Sequence, residues 1–107
     1  MKYLMNQSEF EMLIGRGEIV AETPRFSVVY FTANWCGACR NLNVPMIESK
    51  TSGVNWLKCD IDQNDYTAGY CGIRSIPTFL AIKDKKVVGT MQSNNSDEVV
   101  NWVNTLV

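Results

Sequence analysis

Histidine is absent from this chain of 107 residues, and no run of apolar residues is long enough to cross a membrane. A transmembrane helix needs about 20 consecutive apolar residues, so no membrane association is expected. The ten lysines and arginines are balanced by eleven acidic residues, which leaves a formal net charge of −1 without a long basic run. This balance argues against nucleic acid or an anionic membrane surface as a partner.

The N-terminal segment also lacks the features of a secretory signal. Residues 1–5 form only a short apolar stretch, interrupted by Lys2, before the chain becomes polar, so we expect a cytoplasmic location. The length fits one domain, residues 1–107, and we expect it to be monomeric. Hydrophobic residues make up 46% of the chain and charged residues 20%, a composition typical of a folded globular domain.

Cysteine occurs at four positions, but the spacing fits neither a disulfide scaffold nor a zinc ribbon. Cys36 and Cys39 form a CxxC motif, whereas Cys59 and Cys71 stand apart. A zinc ribbon requires a second CxxC pair, and no histidine is available as a substitute ligand. We therefore expect no bound metal and no other cofactor.

The CxxC motif lies where a predicted strand is followed by a predicted helix. Residues 28–32 are apolar, β-branched and aromatic, which indicates a buried strand, and residues 40–50 favour a helix. Free N–H groups and the partial positive charge of a first helical turn stabilise a thiolate. The pKa of Cys36 is then expected to fall from about 8.5 into a range of about 3.5–7.5. With Cys39 three residues on, the motif indicates a dithiol–disulfide exchange site in which Cys36 is the nucleophile.

The rest of the chain predicts an α/β domain with the element order β-α-β-α-β-α-β-β-α. We expect Ser8 to cap the first helix, which Gly15 and Gly17 end. Pro45 is expected to kink the second helix because it lacks an N–H. Asp62 is the predicted cap of the third helix.

These residues resemble the thioredoxin family over nearly the whole chain. Residues 35–39 (WCGAC) are similar to its WCGPC motif, residues 61–64 to its IDQN stretch, and residues 72–78 to its GIRGIPT segment. The resemblance implies a thioredoxin fold, a mixed sheet of four or five strands with helices on both faces. It also implies reduction of protein disulfides, with an NADPH-dependent thioredoxin reductase as the electron donor.

The resemblance further implies which residues surround the two cysteines. Pro77 would follow a cis peptide bond and lie against the disulfide, and Ile76 and Trp35 would form the apolar rim of a substrate groove. The alternative for Trp35 is a core aromatic. Gly37 and Ala38 are small enough to let the disulfide of another protein approach.

The chain departs from the family pattern at several of these positions. Tyr30 stands where a buried Asp usually accepts the proton of the resolving cysteine, and a phenol of pKa about 10 cannot act as that base near pH 7. Lys58 matches the lysine that partners this Asp in the family. Here Lys58 is either part of a proton relay or a lysine at the strand edge whose charged end reaches solvent. Asp60 is expected to be a surface acid; because it lies on the same sheet face as Lys58, the alternative is an ion pair with that residue. Ala38 replaces the usual proline, and Ser93 replaces part of a Gly-Ala pair of the groove.

Several functional alternatives stay open at this point. An oxidase or isomerase with a thioredoxin fold would share the CxxC motif but have a different reduction potential. A non-catalytic docking subunit of a larger complex would not need the cysteines. Cys59 is expected to be a buried, inert thiol, whereas Cys71 is either inert or regulatory.

Overall fold

The computed structural model describes residues 1–16 and 23–107. Of the two glycines predicted to end the first helix, Gly15 follows that helix with a φ of 75°, and Gly17 lies outside the described residues. The element order agrees with the order predicted from the sequence. The strands are β1 (Lys2–Tyr3), β2 (Phe26–Thr32), β3 (Asn55–Asp60), β4 (Thr78–Lys83) and β5 (Lys86–Gln92), and the helices are α1 (Gln7–Leu13), α2 (Val44–Ser49), α3 (Asp65–Tyr70) and α4 (Ser96–Leu106), with a 3-10 helix (Ala38–Asn41) before α2.

The five strands form one mixed sheet in the order β1-β3-β2-β4-β5. β3 pairs in parallel with both β1 and β2, whereas β4 pairs antiparallel with β2 and with β5. The central strand β2 is buried along its whole length, as its apolar, β-branched composition predicts. The mixed sheet of the predicted fold class is therefore confirmed.

The alternation of side chains along β2 divides the core into two clusters, one on each face of the sheet. Val28 and Tyr30 belong to the cluster that also contains both cysteines of the CxxC motif and residues of α2 and α4. Val29 and Phe31 point to the opposite face and pack with residues of α1 and α3. Helices therefore cover both faces, as predicted, and the CxxC motif lies over the face covered by α2 and α4.

The segment after the cysteines differs from the continuous, kinked helix that the sequence indicated. A 3-10 helix of four residues is followed by a break, and α2 begins only at Val44. The side chain of Asn43 caps α2 by accepting the Met46 N–H at 3.2 Å. Pro45 therefore lies in the first turn, where no N–H is needed, and the prediction of a mid-helix kink is wrong.

Two helix caps also differ from the predicted residues. Asn6, not Ser8, caps α1 by accepting the Glu9 N–H at 3.0 Å. Asn64, not Asp62, caps α3. In both cases the cap is an asparagine within two residues of the predicted position, and its side chain accepts a free N–H of the first helical turn. Asparagine is one of the residue types preferred at helix N-caps.

None of the described helices could cross a bilayer. The longest, α4, has 11 residues, about half of the roughly 20 that a membrane span requires.

Replacement of Asn64 by alanine is expected to destabilise the fold. Asn64 is 6% exposed, its Oδ1 accepts the Thr67 N–H at 3.3 Å, and its Nδ2 donates to the Leu4 carbonyl oxygen at 3.3 Å. Loss of a cap and of a second buried hydrogen bond should lower the free energy of unfolding by about 1–3 kcal/mol, as measured by urea denaturation. The control is the exposed neighbour Gln63, which in the described part of the chain forms a hydrogen bond only through its backbone N–H, and Gln63→Ala should cost less than about 0.5 kcal/mol. Equal losses in the two variants would contradict the assignment of the cap.

Candidate active site

The two cysteines of the CxxC motif are joined by a disulfide directly after the central strand. Their Cα atoms are 5.3 Å apart. Cys36 follows the end of β2, where its N–H donates to the Ala33 carbonyl oxygen at 3.1 Å. The Cys39 N–H, in the 3-10 helix, donates to the Sγ of Cys36 at 3.1 Å. A hydrogen bond to sulfur favours the charged form of a thiol, so this contact supports Cys36 as the thiolate of the reduced pair.

Exposure does not separate the roles of the two cysteines in the disulfide form. Cys36 is 5% exposed and Cys39 is 8% exposed. The helical segment that follows Cys36 is only four residues long, so its dipole is small compared with that of the longer helix that the sequence indicated. The assignment of Cys36 as nucleophile stays a prediction that the local N–H group supports.

The surface beside the disulfide is open to approach by another molecule. Gly37 and Ala38 are both exposed. A Cβ atom built on Gly37 would meet no other atom within 4 Å. The small residues between the cysteines therefore face free space, as a docking partner requires.

Trp35 is held in place at this surface by a side chain from a neighbouring loop. Its ring is 63% exposed, which excludes the alternative of a core aromatic. Its Nε1 donates to the Oδ2 of Asp62 at 2.8 Å. The sequence reasoning gave Asp62 a different role, although its place in the IDQN stretch after β3 was the signal that could have pointed to the site.

An apolar groove of about 310 Å³ begins at Trp35 and continues along the loop before β4. It is lined by Trp35, Ile61, Ala68, Ile73, Arg74, Ser75 and Ile76. The Ile76–Pro77 peptide bond is cis, as the family resemblance implies. Ile76 also packs against the core cluster that contains both cysteines, so the groove and the disulfide are neighbours.

Ser93 lies next to this loop but has a local structural role. β4 and β5 are antiparallel, and Thr78 pairs with Gln92 at the end of their ladder. Pro77, just before Thr78, therefore lies beside Ser93, just after Gln92. The hydroxyl of Ser93 accepts the Asn95 N–H at 3.0 Å. Its predicted contribution to the groove stays a prediction.

A second cavity, of about 280 Å³, lies on the other side of the disulfide and has a polar floor. It is lined by Tyr3, Tyr30, Thr32, Ala33, Asn34, Cys36, Cys39, Arg40, Leu42, Val44, Lys58 and Asp60. The floor comes from β2 and β3, because the parallel register pairs Tyr30 with Lys58 and Thr32 with Asp60. We refer to this space as the polar cavity.

Tyr30 is a packing residue in the floor of the polar cavity. It is 2% exposed, and its ring stacks on Phe79 with centroids 5.0 Å apart. Burial raises the pKa of the Tyr30 hydroxyl above 10.0, and a hydrogen bond with Thr32 only partly opposes this effect. The phenol is therefore neutral near pH 7, in agreement with the reading that it cannot accept a proton.

The positions of Lys58 and Asp60 differ in part from expectation. Asp60 is 7% exposed, so the prediction of a surface acid is wrong. The residue ends β3, and its carboxylate accepts the Asp62 N–H of the following loop at 2.9 Å. Lys58 does line the polar cavity, and its Nζ lies 5.7 Å from the centroid of the Tyr3 ring. Within residues 1–16 and 23–107, no ion pair joins Lys58 and Asp60.

The two other cysteines are separate from the disulfide. Cys59 is 0% exposed, and burial, with smaller contributions from Cys71 and Asp60, raises its pKa to about 12. Burial likewise raises the pKa of Cys71 to about 11. In the described part of the chain, no group of three or more cysteine or acidic side chains could hold a metal ion.

A disulfide at the end of the central strand, bordered by a cis-proline loop and an exposed tryptophan, defines a thiol–disulfide oxidoreductase with a mixed α/β fold. The chain belongs to the thioredoxin family. The family model described as Thioredoxin matches residues 5–105. This membership, together with the CxxC disulfide, establishes protein-disulfide reductase activity.

Individual thioredoxins support the same assignment. The chain is 32% identical over 104 residues to a Thioredoxin H-type of Oryza sativa subsp. indica, covering 92% of this chain and 83% of that protein. It is 36% identical over 93 residues to the TPR repeat-containing thioredoxin TDX of Arabidopsis thaliana, covering 78% of this chain but only 24% of that longer protein. The crystal structure of Fasciola hepatica thioredoxin superposes with a TM-score of 0.80 at 31% identity, covering 98% of both chains.

Alkylation is expected to distinguish the disulfide pair from the buried thiol of Cys59 and the half-buried thiol of Cys71. At pH 8 a thiol with a pKa of about 11 is ionised in about one molecule in a thousand, and one with a pKa of about 12 in about one in ten thousand. The oxidised protein should therefore resist iodoacetamide at pH 8, and reduction should expose Cys36 as the first labelled residue in peptide mapping. Labelling of Cys71 at the rate of a free cysteine in the oxidised protein would contradict this prediction.

Proposed function

We propose that Cys36 attacks the disulfide of a protein substrate and that Cys39 then resolves the mixed disulfide. The single observation that supports this order best is the Cys39 N–H donated to the Sγ of Cys36 at 3.1 Å. The mirror-image contact, from the Cys36 N–H to Cys39, does not occur, because the Cys36 N–H donates to the Ala33 carbonyl oxygen. The charge of a thiolate is therefore better stabilised on Cys36.

The proposed reaction transfers two electrons from the dithiol to the substrate. The Cys36 thiolate forms a bond to one substrate sulfur, and the other substrate sulfur leaves as a thiolate and is protonated. Cys39, after losing its proton, forms the bond to Cys36 while the bond between Cys36 and the substrate breaks. The products are the Cys36–Cys39 disulfide and a reduced substrate.

The apolar groove is the proposed docking site for the substrate chain. Trp35 and Ile76 line it, and we propose that Pro77 and Ser93 extend it beyond Ile76, where β4 begins and β5 ends. An extended peptide could place apolar side chains in the groove while its disulfide meets Cys36 across the open surface at Gly37. Trp35 supports this role because its hydrogen bond to Asp62 already fixes the indole ring, so less side-chain entropy is lost when a substrate binds.

We further propose that an NADPH-dependent thioredoxin reductase re-reduces the disulfide and that the protein acts as a monomer in the cytoplasm. A dithiol carrier that must be reduced again after each cycle suits a compartment that keeps thiols reduced. Insulin reduction with NADPH and a panel of reductases tests this proposal. A reduction potential near −270 mV would fit a reductant, whereas a value near −180 mV would favour the isomerase alternative.

The two cysteine variants are expected to fail in different ways. Cys36→Ser should abolish insulin reduction because the attacking sulfur is gone. Cys39→Ser should also lose turnover but accumulate mixed disulfides at Cys36, which non-reducing electrophoresis and mass spectrometry detect. Mixed disulfides that accumulate in Cys36→Ser instead would reverse the roles. Full activity of the double variant in a larger complex would support the docking-subunit alternative.

Replacement of Gly37 by alanine is expected to impair docking without weakening the fold. Its φ of −64° suits alanine, and the added Cβ meets no atom within 4 Å, so stability should rise by about 0.4–1 kcal/mol. A methyl group between the cysteines should raise KM for insulin about threefold or more, since a misplaced contact at a reacting centre is costly, and should leave the small disulfide DTNB almost unaffected.

The matched control for this variant is Gly69→Ala. Gly69 is an exposed glycine in α3 whose added Cβ would also meet nothing within 4 Å. It should stabilise the protein similarly and leave KM for insulin unchanged. An unchanged KM in Gly37→Ala would show that substrates do not approach over this loop.

A further inference from the structure

We propose that the carboxylate of Asp60 accepts the proton that Cys39 must lose before it can resolve the mixed disulfide. This inference rests on the proposed function, in which Cys39 is the resolving thiol. The sulfurs and the carboxylate belong to different segments of the chain, but they line one cavity of about 280 Å³.

The parallel pairing of the two central strands positions Asp60 at this cavity. Thr32 ends β2 and Asp60 ends β3, and the two residues are register partners. The chain after β2 continues directly to the cysteines, so Asp60 lies at the same edge of the sheet as the disulfide. The residue is 7% exposed, although aspartate is rarely buried without a partner.

The carboxylate is held rigidly, with one oxygen left for another donor. Its Oδ1 accepts the Asp62 N–H at 2.9 Å. The carbonyl oxygen of Asp60 accepts the N–H groups of Gln63 at 3.1 Å and Asn64 at 2.8 Å, which fixes the end of β3. Among the residues that the structure describes, only Oδ1 of this carboxylate takes part in a hydrogen bond. Oδ2 is the oxygen that can receive a proton.

The other polar groups of the cavity cannot serve as the acceptor. The Tyr30 hydroxyl stays neutral because burial raises its pKa, and a neutral phenol is a poor base. The Lys58 ammonium and the Arg40 guanidinium have donors but no acceptor. The remaining titratable groups that line the cavity are Tyr3 and the two cysteines. Close to Asp60 in sequence are Cys59, one residue before it, and Asp62, two residues after it. Asp60 supplies the only carboxylate that lines the described cavity wall.

The proton transfer has a complete chemical balance. In the mixed disulfide, the Cys39 S–H gives its proton to Asp60 through water in the cavity, which at about 280 Å³ has room for several molecules of about 30 Å³ each. The Cys39 sulfur then forms its bond to Cys36, and the bond from Cys36 to the substrate sulfur breaks. The substrate sulfur leaves with the electron pair, and Asp60 returns its proton to solvent or to this leaving thiolate.

Stopped-flow reaction of the reduced protein with excess DTNB tests the proposal, because each step releases one thionitrobenzoate. The first release reports attack by Cys36 and the second reports resolution by Cys39. Asp60→Asn keeps an oxygen that can accept the Asp62 N–H but removes the base. We expect it to slow the second release by about tenfold or more at pH 6.5, since general bases typically contribute at least this much. The deficit should shrink to less than about twofold at pH 9.5, where hydroxide is about a thousand times more abundant than at pH 6.5 and can take the proton in place of the carboxylate.

Two further variants separate a proton acceptor from a structural residue. Asp60→Glu keeps a carboxylate and should restore most of the second release at pH 6.5. Asp84→Asn removes an equal charge at an exposed turn position, with a φ of 51° that asparagine tolerates, and should match the unaltered protein throughout.

The outcomes distinguish this inference from the proposed function. If the unaltered protein shows no first release, the proposed function itself fails. If the first release is normal and Asp60→Asn shows the unaltered pH profile, or a deficit that is equal at all pH values, the role of Asp60 as proton acceptor is overturned. Thermal unfolding checks that Asp60→Asn is folded. If Asp60→Asn is not folded, Asp60→Ser is measured in its place, with the same expected results.

Discussion

The parallel pairing of β2 with β3 is the constraint on which the active site depends. Parallel strands end at the same edge of a sheet, so the segments that follow them meet there. The segment after β2 carries the disulfide, and the segment after β3 carries Asp60 and Asp62. One aspartate lies in the polar cavity and the other holds Trp35. A shift of one residue in this register would turn the Asp60 side chain to the opposite face of the sheet.

The strands and the chemistry of the site could be predicted because their signals are local. The apolar, β-branched residues of β2 indicate a buried strand without any information about the rest of the chain. Likewise, the CxxC spacing alone allows a disulfide. The helix after the cysteines was less predictable, because Asn43 and Pro45 can either interrupt a helix or start one. The structure uses them to start α2, with the side chain of Asn43 as its cap.

The roles of the two aspartates could not be read from the sequence, because they depend on contacts distant along the chain. An aspartate that ends a strand is usually solvated, and nothing local shows that Asp60 is buried beside the disulfide. Likewise, Asp62 has the features of a helix cap, and only the position of Trp35, 27 residues earlier, makes it a hydrogen-bond acceptor. Tyr30 lies in a strand that the sequence predicts to be buried, and the stacking of its ring on Phe79 agrees with that prediction.

The hydrogen bond between Trp35 and Asp62 has a spectroscopic consequence. Indole fluorescence depends on solvent exposure and is quenched by a nearby disulfide, and Trp35 is the exposed tryptophan next to Cys36 in the chain. Trp56 is buried and donates to Thr51 on the covered face of the sheet, so its surroundings do not include open solvent. Of the three tryptophans, the third being the half-buried Trp102, the indole ring fixed at the active site is therefore the one whose emission should change with the state of the disulfide.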